Sequence, residues 1–199
     1  MSEGSKLDFF RRLAERWDGM VDPAGTRHTL ERILAPWRED FAGAAVLEVG
    51  CGTGHLASFL LRLERPPRFL AALDFARPML ERCRRRAPEA APVLGRAEVL
   101  PFRAGWADIV IGQGLFPHLD RPGLFLTDAY RLLRPGGWLI LPHTSSREAI
   151  NRVHREGEEP IRGDLLPAVS AAAATLAAHR FRPGPCRDDQ FSWLVSGRR

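Results

Sequence analysis

The sequence predicts an α/β fold in which parallel strands alternate with helices within one domain of 199 residues. Short apolar runs recur along the chain, separated by segments with helical or turn character, at residues 46–49, 69–73, 92–95, 107–112 and 138–141. Because parallel strands need a crossover connection, usually a helix, this alternation predicts a sheet covered on both faces. The first run leads through closely spaced glycines into a helix from His55, and a chain of this length can bury one large core.

Two amphipathic helices are predicted before the first strand. Residues 7–17 place Phe9, Phe10, Leu13 and Trp17 at helical spacing, and residues 26–37 continue with a second apolar stripe. Read from the residues alone, these helices cover a core.

The helix after the fourth run is expected to begin at Asp120 as N-cap, with Pro122 in its first turn. After the fifth run, Ser145 and Glu148 have the spacing of a capping box, which predicts another helix start.

On that later helix, Ile150 and Val153 are predicted to share a buried side, while Arg147, Asn151 and His154 form an adjoining polar stripe. An alanine-rich helix over residues 167–179 follows. Residues 180–186 and 191–196 then form a final pair of strands.

The glycine turn after the first run has the composition of a nucleotide cradle. Glycine permits positive φ and lets a ligand approach the backbone, and the following helix start offers free N–H groups. Dinucleotide-binding loops need a third glycine or alanine where this sequence has His55. The spacing here is Glu48-x-Gly50-x-Gly52-x-Gly54, and a tight turn of an unrelated α/β protein is the structural alternative.

Asp74 ends the second run, 20 residues after Gly54. An acidic residue there can accept hydrogen bonds from both ribose hydroxyls, and Phe75 can pack on an adenine ring. The alternative is that Asp74 caps the helix that starts near Pro78.

Several segments, in order, resemble the class I methyltransferases that use S-adenosylmethionine (SAM). The glycine loop is one, and Gly95-Arg96-Ala97-Glu98-Val99-Leu100-Pro101-Phe102 is similar to the family's Gly-Asp-Ala-Glu-x-Leu-Pro-Phe. Leu133–Gly137 resembles its Leu-(Arg/Lys)-Pro-Gly-Gly, and Phe10–Asp18 resembles its first helix.

This resemblance implies a Rossmann-like three-layer sandwich, with a seven-strand mixed sheet ending in an antiparallel hairpin. It divides the single domain into an N-terminal helical lid (residues 1–40), a SAM-binding core (41–142), and substrate-side helices with closing strands (143–199). Phe9, Phe10 and Trp17 would then lie over the cofactor.

The resemblance also implies the cofactor-binding residues. Glu48 would sit near the methionine amino group, and the glycines would pass under the sugar and methionyl part. The full set is Glu48, Gly50, Cys51, Gly52, Gly54, Asp74, Phe75, Ala97, Glu98 and Gln113. Arg96 departs from the family's Asp and has no acceptor for the adenine amino group, so adenine would be held by the Ala97 backbone, Glu98 or apolar contact.

Three histidines are the candidate catalytic residues. His118 follows the fourth strand, His143 follows the fifth, and His154 lies on the next helix, so all three lie near the carboxyl edge where open α/β sheets bind ligands. Each could act as a base near neutral pH, or they could bind a metal that holds the acceptor. Hydrogen bonding to loops and caps is the structural alternative.

Composition narrows the remaining choices. Cys51, Cys83 and Cys186 form no C-x-x-C pair, residues 1–8 are polar, and no run is long enough to span a membrane, so a cytoplasmic protein is expected. The net charge is +5, but Lys6 is the only lysine among 29 basic residues, which favours composition bias over nucleic-acid binding.

We therefore expect SAM-dependent methyl transfer to a small-molecule acceptor by a monomer or homodimer. One alternative is a SAM-binding sensor or partner subunit without transferase activity. The other is a metal-binding variant acting on a metalloid, thiol or chelated substrate.

Overall fold

The computed structural model describes residues 3–199, with side chains from Lys6 onward. The helices are α1 (Glu3–Met20), α2 (Pro23–Ile33), α3 (Arg38–Phe41), α4 (His55–Leu61), α5 (Arg77–Arg86), α6 (Pro122–Leu132), α7 (Arg147–Glu156) and α8 (Val169–Ala178). The strands are β1 (Ala45–Val49), β2 (Phe69–Asp74), β3 (Ala91–Leu94), β4 (Ala107–Ile111), β5 (Leu133–His143), β6 (Arg182–Pro183), β7 (Arg187–Asp188) and β8 (Trp193–Arg198). Short 3₁₀ turns cover Ala35–Trp37 and Phe116–His118.

These residues form one open, mixed sheet with the strand order β3-β2-β1-β4-β5-β8-β6. Strands β1 to β5 run parallel, and β8 pairs antiparallel with β5. The order reverses beside β1, so the carboxyl ends of β1 and β4 form the switch point at which such sheets bind ligands. The α/β sandwich predicted from the alternation is confirmed.

The end of the sheet differs from the predicted hairpin. The first expected strand is split into β6 and β7, and both pair with β8, so the described residues form eight strands. Pro183 and Pro185 explain the interruption, because proline has no N–H to donate to a ladder.

Alternating side chains on the central strands fill two cores on opposite faces of the sheet. Val46 and Ile109 pack against α2, α4 and α5, while Leu47 and Val110 pack against α6 and α8. Strand β1 is buried throughout, as expected of a parallel strand with both faces covered.

Helix α1 forms a third, smaller cluster beside the carboxyl end of β2. Leu13 and Ala14 are buried against Ala76 and Met79 of the β2–α5 turn and α5. The aromatic side chains of α1 are partly buried around this contact and include Phe9, Phe10 and Trp17. Helix α1 spans Glu3–Met20 and is longer than the predicted residues 7–17. The second predicted helix, residues 26–37, ends at Leu34 and continues as the 3₁₀ turn that contains Pro36.

Both predicted helix caps are displaced. Asp120 does not cap α6, which has Arg121 at its N-cap; the Asp120 carboxylate instead pairs with Lys6 at 2.7 Å. Ser146, not Ser145, caps α7 and accepts a hydrogen bond from the Ala149 amide at 3.2 Å.

The buried side of α7 is also different from the prediction. Val153 is 56% exposed, whereas Asn151 and His154 of the expected polar stripe are buried. Ile150 packs against the core as expected. The face of α7 turned toward the protein is therefore polar, which points to a function for its side chains.

Candidate active site

The glycine loop is held by backbone hydrogen bonds to the end of β2. The amides of Gly50 and Cys51 both donate to the Leu73 carbonyl oxygen, at 2.8 and 3.0 Å. Gly50, Gly52 and Gly54 have φ values of 70°, 52° and 85°, which favour glycine. A Cβ at Gly52 would meet no atom within 4 Å, so open space lies above the middle of the loop.

Gly54 is required for a different reason. A Cβ there would lie 2.8 Å from the Cys83 sulfur and 2.9 Å from the Cys83 Cα. The absence of a side chain at Gly54 therefore lets α5 approach the loop. At Gly50 a Cβ would press on Leu115, 3.1 Å away.

Glu48 has a buried carboxylate oxygen that no other group satisfies in the described part of the chain. Its side chain lies under the loop and is 2% exposed, and Oε2 has no hydrogen-bond partner among the described residues. Burial, and then the neighbouring Cys83 and Asp74, raise the pKa of Glu48 well above its usual range. A cation with N–H donors would satisfy this oxygen, so Glu48 fits the predicted role beside the methionine ammonium group of SAM.

Asp74 connects the loop to the start of α5. Its Oδ2 accepts from the Gly52 amide at 2.9 Å, and its Oδ1 accepts from the Ala76 amide at 2.8 Å. Burial raises the pKa of Asp74 to about 6. The carboxylate thus organises the turn before α5, and each oxygen keeps a lone pair for a ribose hydroxyl.

Arg96, the departure from the family pattern, lies among the predicted adenine neighbours. Its guanidinium is 5.9 Å from the centre of the Phe75 ring, and its Nε is 3.6 Å from Glu98 Oε2. Ala97 is half-buried against the core. Gln113 is half-buried in the loop after β4, which the amide of Gly114 ties to Pro142 of β5.

The C-terminal half of α1 is tied to the glycine loop through Asp18. Its carboxylate accepts from Thr53 Oγ1 at 2.7 Å and pairs with Arg86 and His55 at 3.0 and 3.1 Å. Partial burial alone would raise the pKa of Asp18, but hydrogen bonds from Arg86 and Thr53 hold that pKa well below its usual range. Toward its other end, the Phe10 ring meets Phe75 edge-to-face at 5.7 Å.

The three predicted histidines lie together at this edge of the sheet. His118 ends the 3₁₀ turn after β4, His143 ends β5, and His154 lies on α7. The His118 and His154 ring centres are 5.0 Å apart, and His143 interacts electrostatically with both.

Two residues of the predicted polar stripe on α7, Arg147 and Asn151, and Phe116 of the 3₁₀ turn after β4 have partners within the protein. Arg147 pairs with Asp188 on β7 at 3.0 Å, and Phe116 stacks on Trp193. Asn151 binds the backbone of Leu166 through both its amide nitrogen and oxygen, at 3.0 and 2.7 Å. Asn151 therefore fixes the segment between α7 and α8 rather than facing a ligand.

The surroundings of the three histidines differ. Burial lowers the pKa of His143 to about 3, and its Nδ1 is buried without a hydrogen-bond partner in the described part of the chain. His154 Nδ1 bonds the Asp164 carbonyl oxygen. His118 Nδ1 lies 2.8 Å from Asp164 Oδ2, and burial lowers the pKa of His118 although that carboxylate opposes the shift.

Sequence reasoning missed Lys6 and Asp164. Lys6 reaches from α1 to Asp164 at 2.9 Å, to Asp120 at 2.7 Å and to the His118 carbonyl oxygen at 3.2 Å. The one available signal was that Lys6 is the only lysine in an arginine-rich chain. Within residues 6–199, no group of three or more His, Cys, Asp or Glu side chains is arranged to hold a metal ion, so the metal-binding alternative gains no ligand set.

Comparisons with known proteins define the class. The methyltransferase domain model matches residues 47–141. The ubiquinone biosynthesis O-methyltransferase of Xanthomonas oryzae pv. oryzae is 31% identical over 171 residues, covering 82% of this chain and 70% of that protein. The chain belongs to the class I SAM-dependent methyltransferases.

Another relative is the phthiotriol/phenolphthiotriol dimycocerosates methyltransferase 1 of Mycobacterium ulcerans, 39% identical over 106 residues. This match covers 51% of the chain but only 38% of that protein. A SAM-dependent methyltransferase structure from Mesorhizobium loti superposes with a TM-score of 0.68 at 15% identity, covering 86% of this chain and 98% of the other. In the described part of the chain, no helix is both long and apolar enough to cross a bilayer.

Proposed function

We propose that this chain transfers the methyl group of SAM to an oxygen of a small, hydroxyl-bearing acceptor. The observation that carries the proposal is the ring of His118, hydrogen-bonded at Nδ1 to Asp164, at the same sheet edge as the glycine loop. A relative of the chain is named as an O-methyltransferase, which supports oxygen as the acceptor atom.

The glycine loop would hold the cofactor. Glu48 would accept from its methionine ammonium group, and Asp74 would accept from its ribose hydroxyls. Phe75, Ala97 and Glu98 would border the adenine, and Gln113 would flank the cofactor from the loop after β4. When bound, SAM supplies an electrophilic methyl group on its sulfonium. The chain aligns the acceptor oxygen in line with that methyl group and excludes water.

Proton removal then falls to His118. A hydroxyl is a weak nucleophile, and a positioned base that takes its proton accelerates the transfer. The Asp164 carboxylate accepts from Nδ1–H, which leaves the Nε2 lone pair of His118 as the basic site. His143 has too low a pKa to compete as a base, but its buried Nδ1 can hydrogen-bond the acceptor.

We further infer that the protein works in the cytoplasm as a monomer or homodimer, with no nucleic-acid partner. Cys51, Cys83 and Cys186 are free thiols, which suits a reducing compartment.

A screen for S-adenosylhomocysteine release tests the function. Each hydroxyl compound is offered beside its own methyl ether, which has no proton to remove, and beside its thiol analogue. We expect turnover with some hydroxyl compounds, none with the matched ethers, and loss of turnover in His118→Ala. SAM binding without turnover on any acceptor would favour the non-catalytic SAM-binding alternative, and turnover only on thiols would move the acceptor atom to sulfur.

A further inference from the structure

Lys6 is an unusual residue for the surface helix that carries it. Its side chain is only 8% exposed, and its Nζ lies within hydrogen-bond distance of Asp120 Oδ1, Asp164 Oδ1 and the His118 carbonyl oxygen. A lysine ammonium has three N–H donors, so all three are matched by acceptors. Burying a cation costs free energy unless it is paired in this way. Lys6 is also the only lysine of the chain, since the rest of its 29 lysines and arginines are arginine.

Asp164 divides its two carboxylate oxygens between this lysine and a histidine. Oδ1 is 2.9 Å from Lys6 Nζ, and Oδ2 is 2.8 Å from His118 Nδ1. Although burial opposes it, hydrogen bonds from His118 and Lys6 hold the pKa of Asp164 below its usual range. Asp164 is therefore ionised and accepts from both partners, which assigns the ring proton of neutral His118 to Nδ1.

We propose that Lys6 and Asp164 are positioning residues that couple the seating of α1 to the protonation state of His118. Asp164 orients the ring, and Lys6 brings its charge only when α1 lies on the site. This inference rests on the proposed role of His118 as the base.

The sign follows from the charges that face His118. The Asp164 carboxylate, from the segment between α7 and α8, favours the imidazolium form. Lys6 on α1 and His154 on α7 oppose it, and His143 faces the same cluster from the end of β5. Asp120, two residues along the chain, faces Lys6. Lys6 is the one full positive charge in this set that lies on α1.

Two states follow from the position of α1. With α1 away, Asp164 keeps only His118 as a partner and stabilises the imidazolium, which cannot accept a proton. With α1 seated, the Lys6 ammonium pairs with Asp164 Oδ1 while His118 Nδ1–H still donates to Oδ2, so the carboxylate stabilises the imidazolium less and the Nε2 proton of His118 passes to solvent. The neutral imidazole that remains can take the proton of the acceptor hydroxyl, so the base becomes active only when the site is covered.

Nuclear magnetic resonance of the full chain with ¹⁵N-labelled histidine tests this without any acceptor. In the wild type we expect neutral His118 in its Nδ1–H form. In Lys6→Met, which keeps a long unbranched side chain but not its charge, the pKa of His118 should rise by about one pH unit. Lys6→Arg keeps the charge and should restore the wild-type value, while Asp164→Asn should lower it.

Asp18→Asn weakens the anchor at the other end of α1 and leaves Lys6 in place, so it should raise the pKa of His118 in the same direction as Lys6→Met, by a smaller amount. Arg12→Met, at an exposed position of α1, is the matched control and should leave the titration unchanged. An unchanged His118 titration in Lys6→Met, or a shift of the same size in Arg12→Met or Lys6→Arg, would overturn the coupling. If the titration moves as expected but His118→Ala keeps full turnover, the coupling stands and the assignment of His118 as base fails.

Discussion

The glycine loop and the histidine cluster lie at the same edge of the sheet, but they differ in whether their charged side chains have partners within the protein. Under the loop, the Glu48 carboxylate has an oxygen without a partner, and open space lies above Gly52. In the cluster, Lys6 and Asp164 have partners for every donor or carboxylate oxygen named above. The region proposed to receive a charged ligand keeps a charged group unsatisfied, whereas the two charged residues beside His118 are already paired and the unpartnered atom of the cluster, His143 Nδ1, belongs to a neutral ring.

Helix α1 contacts both regions, so removing it gives the largest expected effect. Deletion of residues 1–18 removes Lys6 and Asp18 together and uncovers the edge of the sheet. We expect turnover to be abolished while the remaining chain stays folded, as judged by circular dichroism and thermal unfolding. If the shortened protein unfolds, the aromatic side chains of α1 belong to the core and the lid interpretation is wrong.

The next largest effect is expected from substitutions in the histidine cluster. His118→Ala should lower kcat by about 10²–10⁴-fold, the usual contribution of a general base. His143→Ala and His154→Ala should lower it less. SAM affinity should stay within roughly threefold in all three, a difference of about 0.7 kcal/mol. His28, which is exposed on α2, provides the control His28→Ala; full activity in all three cluster variants would remove the histidines from the mechanism.

The third effect is expected from substitutions of the acidic residues beside the glycine loop. Glu48→Gln keeps the shape of the side chain but removes its negative charge, and should weaken SAM binding by about 1.5–3 kcal/mol, the range for hydrogen bonds to charged groups. Asp74→Ala should cost about 1–3 kcal/mol for the same reason. Calorimetry with SAM and S-adenosylhomocysteine measures both, with the exposed Glu39→Gln as control. Tight binding of NAD, or unchanged affinity in Asp74→Ala, would contradict the cofactor assignment.

The smallest effect is a pH dependence confined to the loop. Burial raises the pKa of Asp74 to about 6 and that of Glu48 well above its usual range, so the ligand-free fold holds extra protons on these acids. If SAM binds their ionised forms, binding releases protons and affinity falls as pH drops, by up to about tenfold per pH unit for each proton released. Titrations at pH 5.5, 6.5 and 7.5 should show this fall in the wild type and a weaker one in Asp74→Asn. A flat profile in the wild type would mean that both acids stay ionised in the free protein.

The two regions also differ in how far the sequence could predict them. The loop is contiguous, so the spacing of Glu48, Gly50 and Gly52 could be read directly, and Asp74 followed from its distance along the chain. The positions of His118 and His143 followed from strand ends, because parallel strands bring their carboxyl ends to one edge. Lys6 and Asp164 come from a helix and an irregular segment 158 residues apart, and neither has a local pattern.

The predictions that failed did so where tertiary contacts overrode a local rule. Asp120 has a good capping side chain, but the Lys6 ammonium takes its carboxylate. Ser146 takes the cap position one residue further along, with the extended backbone of φ −63° and ψ 152° that a cap needs. Arg96 was expected only to lack an acceptor for adenine; the structure shows that it also lies beside Phe75 and Glu98, two of the residues expected to border the adenine.

Because Lys6 is the only lysine, its reaction with amine reagents reports on the position of α1. Lys6 provides the only ε-amine, and in the seated position of α1 that amine is charged, buried and hydrogen-bonded, so an amine-reactive reagent must wait for the helix to lift. Acetylating reagents would label this ε-amine at a rate that measures how often the active site is uncovered. Mass spectrometry distinguishes this label from one on the α-amino group.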